Sequence, residues 1–312
     1  MTLLNEGKAI IRVAVNELQP KSINSKVPYG ADEVAQDIVA CARVGATIAH
    51  VHSRHADGRQ ALDDDDAGAD IYRRILELVA RESDVIVEPT NFSRGNDPTT
   101  PEDVPHFWAL VDHPPVGTRL EFVNVDGFRF GSASWDPESM TLYTLKKYEG
   151  RTAEPYRGPS VIKRVLDCGL VPYFGVFDLG DTRMLAAMAH QGIVPQPVLV
   201  QINFFCDQVA GPTPSIEALD AILNEWRHFD IDAELSLFVR MAPGIAAYEQ
   251  LMLAALDRAV HPRVGVGDNP RLFPTNVAAV EHAYEFLDRR GLKVATPGDL
   301  RQRVGLAASP GS

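Results

Sequence analysis

Cysteine is scarce in this chain. Its 312 residues hold three, Cys41, Cys168 and Cys206, with no C-x-x-C spacing. An odd, scattered set excludes a disulfide scaffold and fits a reducing compartment, so a cytoplasmic setting is expected. Basic charge is also in deficit, with 30 Lys and Arg against 42 Asp and Glu and a net charge of -12. That balance argues against nucleic acid or an anionic membrane as the main partner, since both need a basic face. No apolar run approaches the ~20 residues that span a bilayer. The opening MTLLNEGKAIIRVAV is neither a convincing signal peptide nor an anchor. Motifs for phosphate cradles and activated nucleophiles are missing too: there is no G-x-G-x-x-G, no G-K-[ST], no G-x-S-x-G and no H-E-x-x-H.

What is present is an alternation of short apolar runs with longer amphipathic ones. AIIRVAV (9–15), TIAHVH (47–52), DVIVEPT (84–90), TRLEFVNV (118–125), LVPYFGVFD (170–178), PVLVQINFF (197–205), AELSLFV (233–239) and RVGVGD (263–268) read as strands. Between them, segments such as ADEVAQDIVACARVG (31–45), AGADIYRRILELVARES (67–83), PEDVPHFWALVDH (101–113) and TRMLAAMAHQG (182–192) carry helical spacing. About eight strand–helix units predict parallel strands joined by helical crossovers. At this length the closed form is a (β/α)8 TIM barrel, one α/β domain over residues 1–312, with an open doubly wound sheet as the alternative. The exception to short connections is 126–160 after the fourth strand, a long insertion that suits a functional loop or an oligomer contact. KVATPGDLRQRVGL (293–306) reads as a closing helix.

In a barrel, catalytic groups gather where strands end. His50 and His52 close the second strand, Thr90 the third, Asn124 the fourth and Asp178 the fifth, and Asp268 follows the eighth. Residues two apart on a strand face one way, so both imidazoles share a side, about 6–7 Å apart at the backbone. That geometry suits one metal ion, for which neutral imidazole is a common ligand, and equally suits two polar residues at a barrel mouth. Arg263 and Asp268, in RVGVGDN (263–269), suit a carboxylate clamp and a base, or an ion pair that closes the barrel. Thr90, Asn91 and Ser93 suit anion binding or a turn. Cys206 reads as a small packed hydrophobe, and Asp63–Asp66 as a solvated loop and helix start.

GATIAHVHSRHADG (45–58) paired with RVGVGDN (263–269) resembles the β-keto acid cleavage enzymes. His50, His52, Arg54 and Gly58 match one family motif; Arg263, Val264, Gly265, Asp268 and Asn269 match another. The resemblance runs end to end and implies a barrel with divalent zinc at its C-terminal mouth. It implies an acyltransferase that cleaves a carbon–carbon bond, converting a small β-keto carboxylate and acetyl-CoA into acetoacetate and a CoA thioester. By position, His50 and His52 are metal ligands, Asp268 the general base and Arg263 its orienting partner. Thr90 stands where the family has a serine at the substrate carboxylate, and Asn124 and Arg54 join it as expected substrate contacts. The family also suggests a homo-oligomer, with residues 126–160 as the expected contact and FRFGSASW (128–135) supplying its aromatics.

The chain departs from the family at telling places. The third zinc ligand is a glutamate at the position of Gly267, and two further family glutamates are replaced by Tyr173 and Gly175. Glu88 and Asp268 are the nearest substitutes for the third ligand, with Glu234 a weaker one. Two rival readings stay open: a metal-assisted hydrolase or lyase on a small keto acid, and a non-catalytic carboxylate-binding barrel.

Overall fold

A computed structural model describes residues 2–61, 65–90, 105–118, 120–125, 133–136, 138–144 and 157–307. Eight strands pair in parallel: β1 (Arg12–Ala14), β2 (Ile48–Val51), β3 (Ile86–Pro89), β4 (Phe122–Val125), β5 (Val171–Val176), β6 (Val198–Phe205), β7 (Ala233–Arg240) and β8 (Val260–Val264). Their order in the sheet is β3-β2-β1-β8-β7-β6-β5-β4. The remaining seam, β3 against β4, carries a single parallel bridge between Thr90 and Asn124. The sheet is thus nearly closed, as expected for a (β/α)8 barrel. Helices α1 (Gly30–Arg43), α2 (Asp65–Ala80), α3 (Pro105–Asp112), α4 (Ser160–Asp167), α5 (Leu179–His190), α6 (Ile216–Phe229), α7 (Ile245–Leu256) and α8 (Asn276–Arg289) alternate with the strands, and α9 (Pro297–Arg303) follows. Among the described residues no helix is long and apolar enough to cross a membrane.

The period-two pattern sorts each strand into two faces. Val13, Val15, Ala49, Val51, Val87, Val123, Val125, Phe174, Val176, Val200 and Ile202 pack outward in the main core, against the helices. Ile10, Ile48, Ile86, Phe122, Tyr173 and Leu199 point inward and form a second cluster with Leu3, Ala295 and Leu300. That cluster plugs the N-terminal end, so the tail helix α9 has the closing role expected of it. Thr296 and Asp299 cap α9 reciprocally, and Lys8 reaches Asp299 at 2.6 Å. Above the plug, the same inward face becomes polar, with Arg12, His50, Glu88, Asn124, Gln201 and Arg263 all buried.

Three boundaries differ from expectation for local reasons. The last strand starts at Val260, not 263, and ends before Gly265, whose φ of +135° turns the chain out of the sheet. Asp178, expected among the strand-end functional groups, instead caps α5: its Oδ1 accepts from the Asp181 N–H at 2.9 Å. The segment after β4 contains an antiparallel hairpin, Ala133–Asp136 with Thr141–Thr144. There Trp135, the last aromatic of FRFGSASW in the expected oligomer contact, packs edge-on against Phe229 of α6 at 5.3 Å. Residues 126–132, 137 and 145–156 of that contact, with Asn91 and Ser93, lie outside the described residues. The three cysteines are free thiols, but Cys206 is exposed and not packed as expected, because it follows the end of β6 in the rim loop.

One buried amide joins the segments that carry the site. Asn276, at the start of α8, donates to the Val15 carbonyl at 2.8 Å and accepts from the Val266 N–H at 2.8 Å. It also donates to Asp37 of α1 at 2.5 Å. Burial, helped by Glu33, pushes the Asp37 carboxyl up from 3.8 to about 6 despite that bond. Protonated Asp37 is therefore favoured in the folded state, and its contribution is complete below pH 3.8 and lost as pH rises through about 6. Ionised at pH 8, it costs the fold about 3 kcal/mol. Asp37→Asn is expected to unfold at higher denaturant than the parent at pH 8 and to match it near pH 4; a constant difference at both pH values would contradict this.

Candidate active site

The polar layer begins with an arginine in an apolar strand. Arg12 of β1 donates through Nε to Glu88 Oε2 at 2.7 Å and through Nη2 to Glu88 Oε1 at 2.8 Å. Both side chains are fully buried. Two parallel charge-assisted bonds make Glu88 the standing partner of Arg12. Burial raises the Glu88 carboxyl, but Arg12 and His50 outweigh it and hold its pKa below the ordinary value.

His50 and His52 do share a side, with ring centroids 5.4 Å apart. The carboxylate that meets them is Glu17, three residues past the end of β1. His50 Nε2 lies 3.1 Å from Glu17 Oε1, and His52 Nε2 lies 2.8 Å from Glu17 Oε2. Glu17 reaches them from a left-handed backbone, φ 41°. Such a conformation in a non-glycine residue persists where its surroundings over-determine it. Here Gln60 Nε2 and Arg54 Nη1 donate to the Glu17 carbonyl at 3.0 and 3.3 Å. Arg54 also donates to the carbonyls of Gln19 at 2.6 Å and Gly58 at 2.6 Å and lies over the Tyr29 ring. The arginine expected at the substrate thus binds the backbone of the loop that presents Glu17.

Arg263 and Asp268 meet as the motif suggested. Nε and Nη2 of Arg263 each donate to an Asp268 oxygen at 2.9 Å. The Nη2 of Arg263 also donates to Glu17, and its Nη1 donates to the Gln201 carboxamide oxygen, which accepts from Arg12 as well. Complete burial pushes the Asp268 carboxyl up to about 6 against the pull of Arg263, and Glu17 adds to the rise. For Glu17 burial works the same way, but His52, His50 and Arg263 together hold it well below the usual carboxylate range. Burial opposes the charged His50, yet Glu17 outweighs it and raises its pKa.

Gly267 matters to this arrangement through close approach. A Cβ there would lie 2.7 Å from the Ala14 carbonyl oxygen and 2.8 Å from Glu17 Cγ. The space beside Gly267 is the space the Glu17 side chain uses. Gly267→Ala is expected to displace Glu17 and cost about 1–3 kcal/mol of stability, read by denaturant unfolding; an unchanged midpoint would contradict the packing.

The ligand-capable atoms of Glu17, His50 and His52 lie within 4.8 Å of one another, so this group could hold a metal ion. Two imidazoles and a carboxylate are a donor set that zinc and related divalent ions accept. The suggested third ligands are otherwise engaged: Glu88 with Arg12, Asp268 with Arg263. Glu234 lies at the opposite end of the barrel, where its Oε2 meets His261 Nε2 at 2.7 Å and its Oε1 accepts from Arg303 at 2.7 Å. Thr90 and Asn124 lie buried on either side of the β3–β4 seam.

A family model described as beta-keto acid cleavage enzyme matches residues 8–306. The chain belongs to the β-keto acid cleavage enzyme family. It is 24% identical over 310 residues to the 3-keto-5-aminohexanoate cleavage enzyme of Fusobacterium nucleatum, covering 96% of this chain and 98% of that one. It is 23% identical over 303 residues to the 3-dehydrocarnitine:acetyl-CoA trimethylamine transferase of Rhizobium meliloti, covering 91% and 92%. Among solved structures, apo ObcA aligns with a TM-score of 0.63 at 15% identity. That alignment covers 90% of this chain and 66% of ObcA, and it supports the barrel fold alone.

Glu17, Arg12 and Gln201 were not anticipated as site residues of this β-keto acid cleavage enzyme family member. A signal existed for each: Glu17 follows the first strand end, and Arg12 and Gln201 interrupt apolar strands at inward positions.

Proposed function

We propose that the chain cleaves a small β-keto carboxylate with acetyl-CoA as co-substrate, so that R–CO–CH2–COO⁻ and CH3–CO–SCoA become R–CO–SCoA and acetoacetate. The observation that carries this reading is the Arg263 guanidinium, which bridges the buried Asp268 carboxylate to Glu17 of the Glu17–His50–His52 group. Glu17, His50 and His52 would hold zinc, with Glu17 as the third ligand. The bound ion supplies Lewis-acid polarisation at the keto oxygen.

The chain's own residues handle the proton and the orientation. Asp268 takes a proton from C2, the carbon between keto group and carboxylate. Its pKa near 6 makes it a stronger base than an exposed aspartate and leaves it ionised at neutral pH. Arg263 fixes it bidentately and stabilises the ionised form. The C2 carbanion attacks the acetyl carbonyl and expels the CoA thiolate. That thiolate then attacks the keto carbon, the C2–C3 bond breaks, and Asp268 returns its proton to the departing carbon. Arg12 and Glu88 hold the wall beside His50. Asn124, buried with both amide atoms unpartnered among the described residues, and Thr90 across the seam offer contacts for the substrate carboxylate. Free thiols fit the cytoplasmic setting expected of a CoA-dependent reaction.

Metal-loaded protein incubated with β-keto acids and acetyl-CoA should form acetoacetate and a new CoA thioester in equal amounts. Keto acid consumed without CoA transfer would instead indicate a hydrolase or lyase. Binding without turnover would indicate a carboxylate-binding barrel.

A further inference from the structure

The proton step uses groups on β1, β2 and β8; the inner face of β5–β7 touches them through Gln201 and Phe238 but supplies no group that takes the proton. Alternation puts Tyr173, Gly175 and Phe177 on that face, then Gln201, Asn203 and Phe205, then Ser236, Phe238 and Arg240, because Phe174, Val176, Val200, Ile202, Leu235, Leu237 and Val239 pack outward. Above Glu234, which His261 and Arg303 hold at the closed end, this face carries no carboxylate, and the one charge on that upper part, Arg240, pairs with Asp207 at 3.5 Å.

Hydrogen-bond polarity can be traced through it. Guanidinium groups only donate, so Arg12 and Arg263 together require the Gln201 oxygen to be their acceptor. Gln201 therefore presents its NH2 to Asn203, whose oxygen accepts it. The Asn203 Nδ2 is left facing the interior, buried, with no partner among the described residues. An unmet buried donor asks for an acceptor.

Aromatic rings continue from the same place. The Arg263 guanidinium lies 4.4 Å from the Phe238 ring. Phe238 meets Phe205 edge-on at 5.4 Å, and Phe205 stacks on Phe177 at 5.8 Å with 3° between planes. Phe238 is buried while Phe205 and Phe177 are half-buried, so the rings lead from the Arg263–Asp268 pair toward the rim.

We propose that this face is the tail subsite, that Asn203 Nδ2 donates to an oxygen of the substrate, and that the substrates are β-keto acids with uncharged, apolar tails lying along Phe238, Phe205 and Phe177. This rests on the β-keto acid reading above. Along these rings an ammonium tail finds no carboxylate, and the Asp207 carboxylate at the rim is paired with Arg240, whereas an alkyl or phenyl tail finds three rings.

The test compares kcat/KM for β-keto acids with alkyl, phenyl, ammonium and carboxylate tails. The apolar tails are expected to lead by about 100-fold, and Phe205→Ala to lower them alone by about 10-fold. Preference for a charged tail, or an equal loss across all tails, overturns the proposal. Asn203→Asp keeps the acceptor for Gln201 but replaces the free donor with a second acceptor. It should weaken binding of every tail about 10-fold or more, and unchanged binding would remove Asn203 from the subsite. Calorimetry with 2,2-dimethyl-3-oxo acids, which have no C2 proton to lose, reads the same tail preference without turnover. A tail preference in that assay with no CoA product from any keto acid would sink the reaction and leave the subsite standing.

Discussion

Glu17→Gln is expected to lower metal affinity by more than about 100-fold, beyond the usual loss from an outer-shell partner. Glutamine keeps the length and the amide oxygen for Arg263 but removes the charge that faces both His50 Nε2 and His52 Nε2. Competition against a chelator of known affinity reads the change, and a melting curve checks that the barrel is intact. The same geometry makes position 267 sensitive. A Cβ at Gly267 would lie 2.8 Å from Glu17 Cγ, so a carboxylate at 267 and one at 17 compete for one space. Gly267→Glu should therefore disturb the site, the more so because its Cβ would also lie 2.7 Å from the Ala14 carbonyl oxygen. Full affinity in Glu17→Gln would remove Glu17 from the ligand set.

Asp268→Asn carries the largest expected kinetic effect, a fall in kcat of about 10²–10⁴, the range for losing a general base. The amide cannot accept the C2 proton and turns one donor toward Arg263. In the parent, activity requires ionised Asp268, so the rate should be low in acid and rise through about pH 6 to a plateau. That limb should vanish in the variant. Loss of activity with an unchanged acid limb would assign the base to another group.

Much of this organisation is legible from residue order because the relevant physics is local. Period-two alternation identifies His50 and His52 as same-side neighbours, and the strand-end rule brings Asp268 to the same mouth from the far end of the chain. Glu17 is hidden because NELQP reads as an ordinary turn, and only its left-handed backbone, fixed by Arg54 and Gln60, aims its carboxylate at the histidines. Arg54 shows the converse limit. A buried guanidinium serves a ligand carboxylate or backbone carbonyls equally well, and residue order does not say which surrounds it. Asp178 is similar, since one residue type ends a strand and caps the next helix. The start of β8 is obscured because DRAVHPRVGVGD has no break between helix end and strand until Gly265 turns the chain.

X-ray absorption at the zinc edge of the purified protein tests the metal group most directly. The account predicts a nitrogen and oxygen shell at about 2.0–2.1 Å, with the multiple-scattering signature of two imidazoles, lost in His50→Ala/His52→Ala and altered in Glu17→Gln. A sulfur shell, or a spectrum identical in all three proteins, would contradict it.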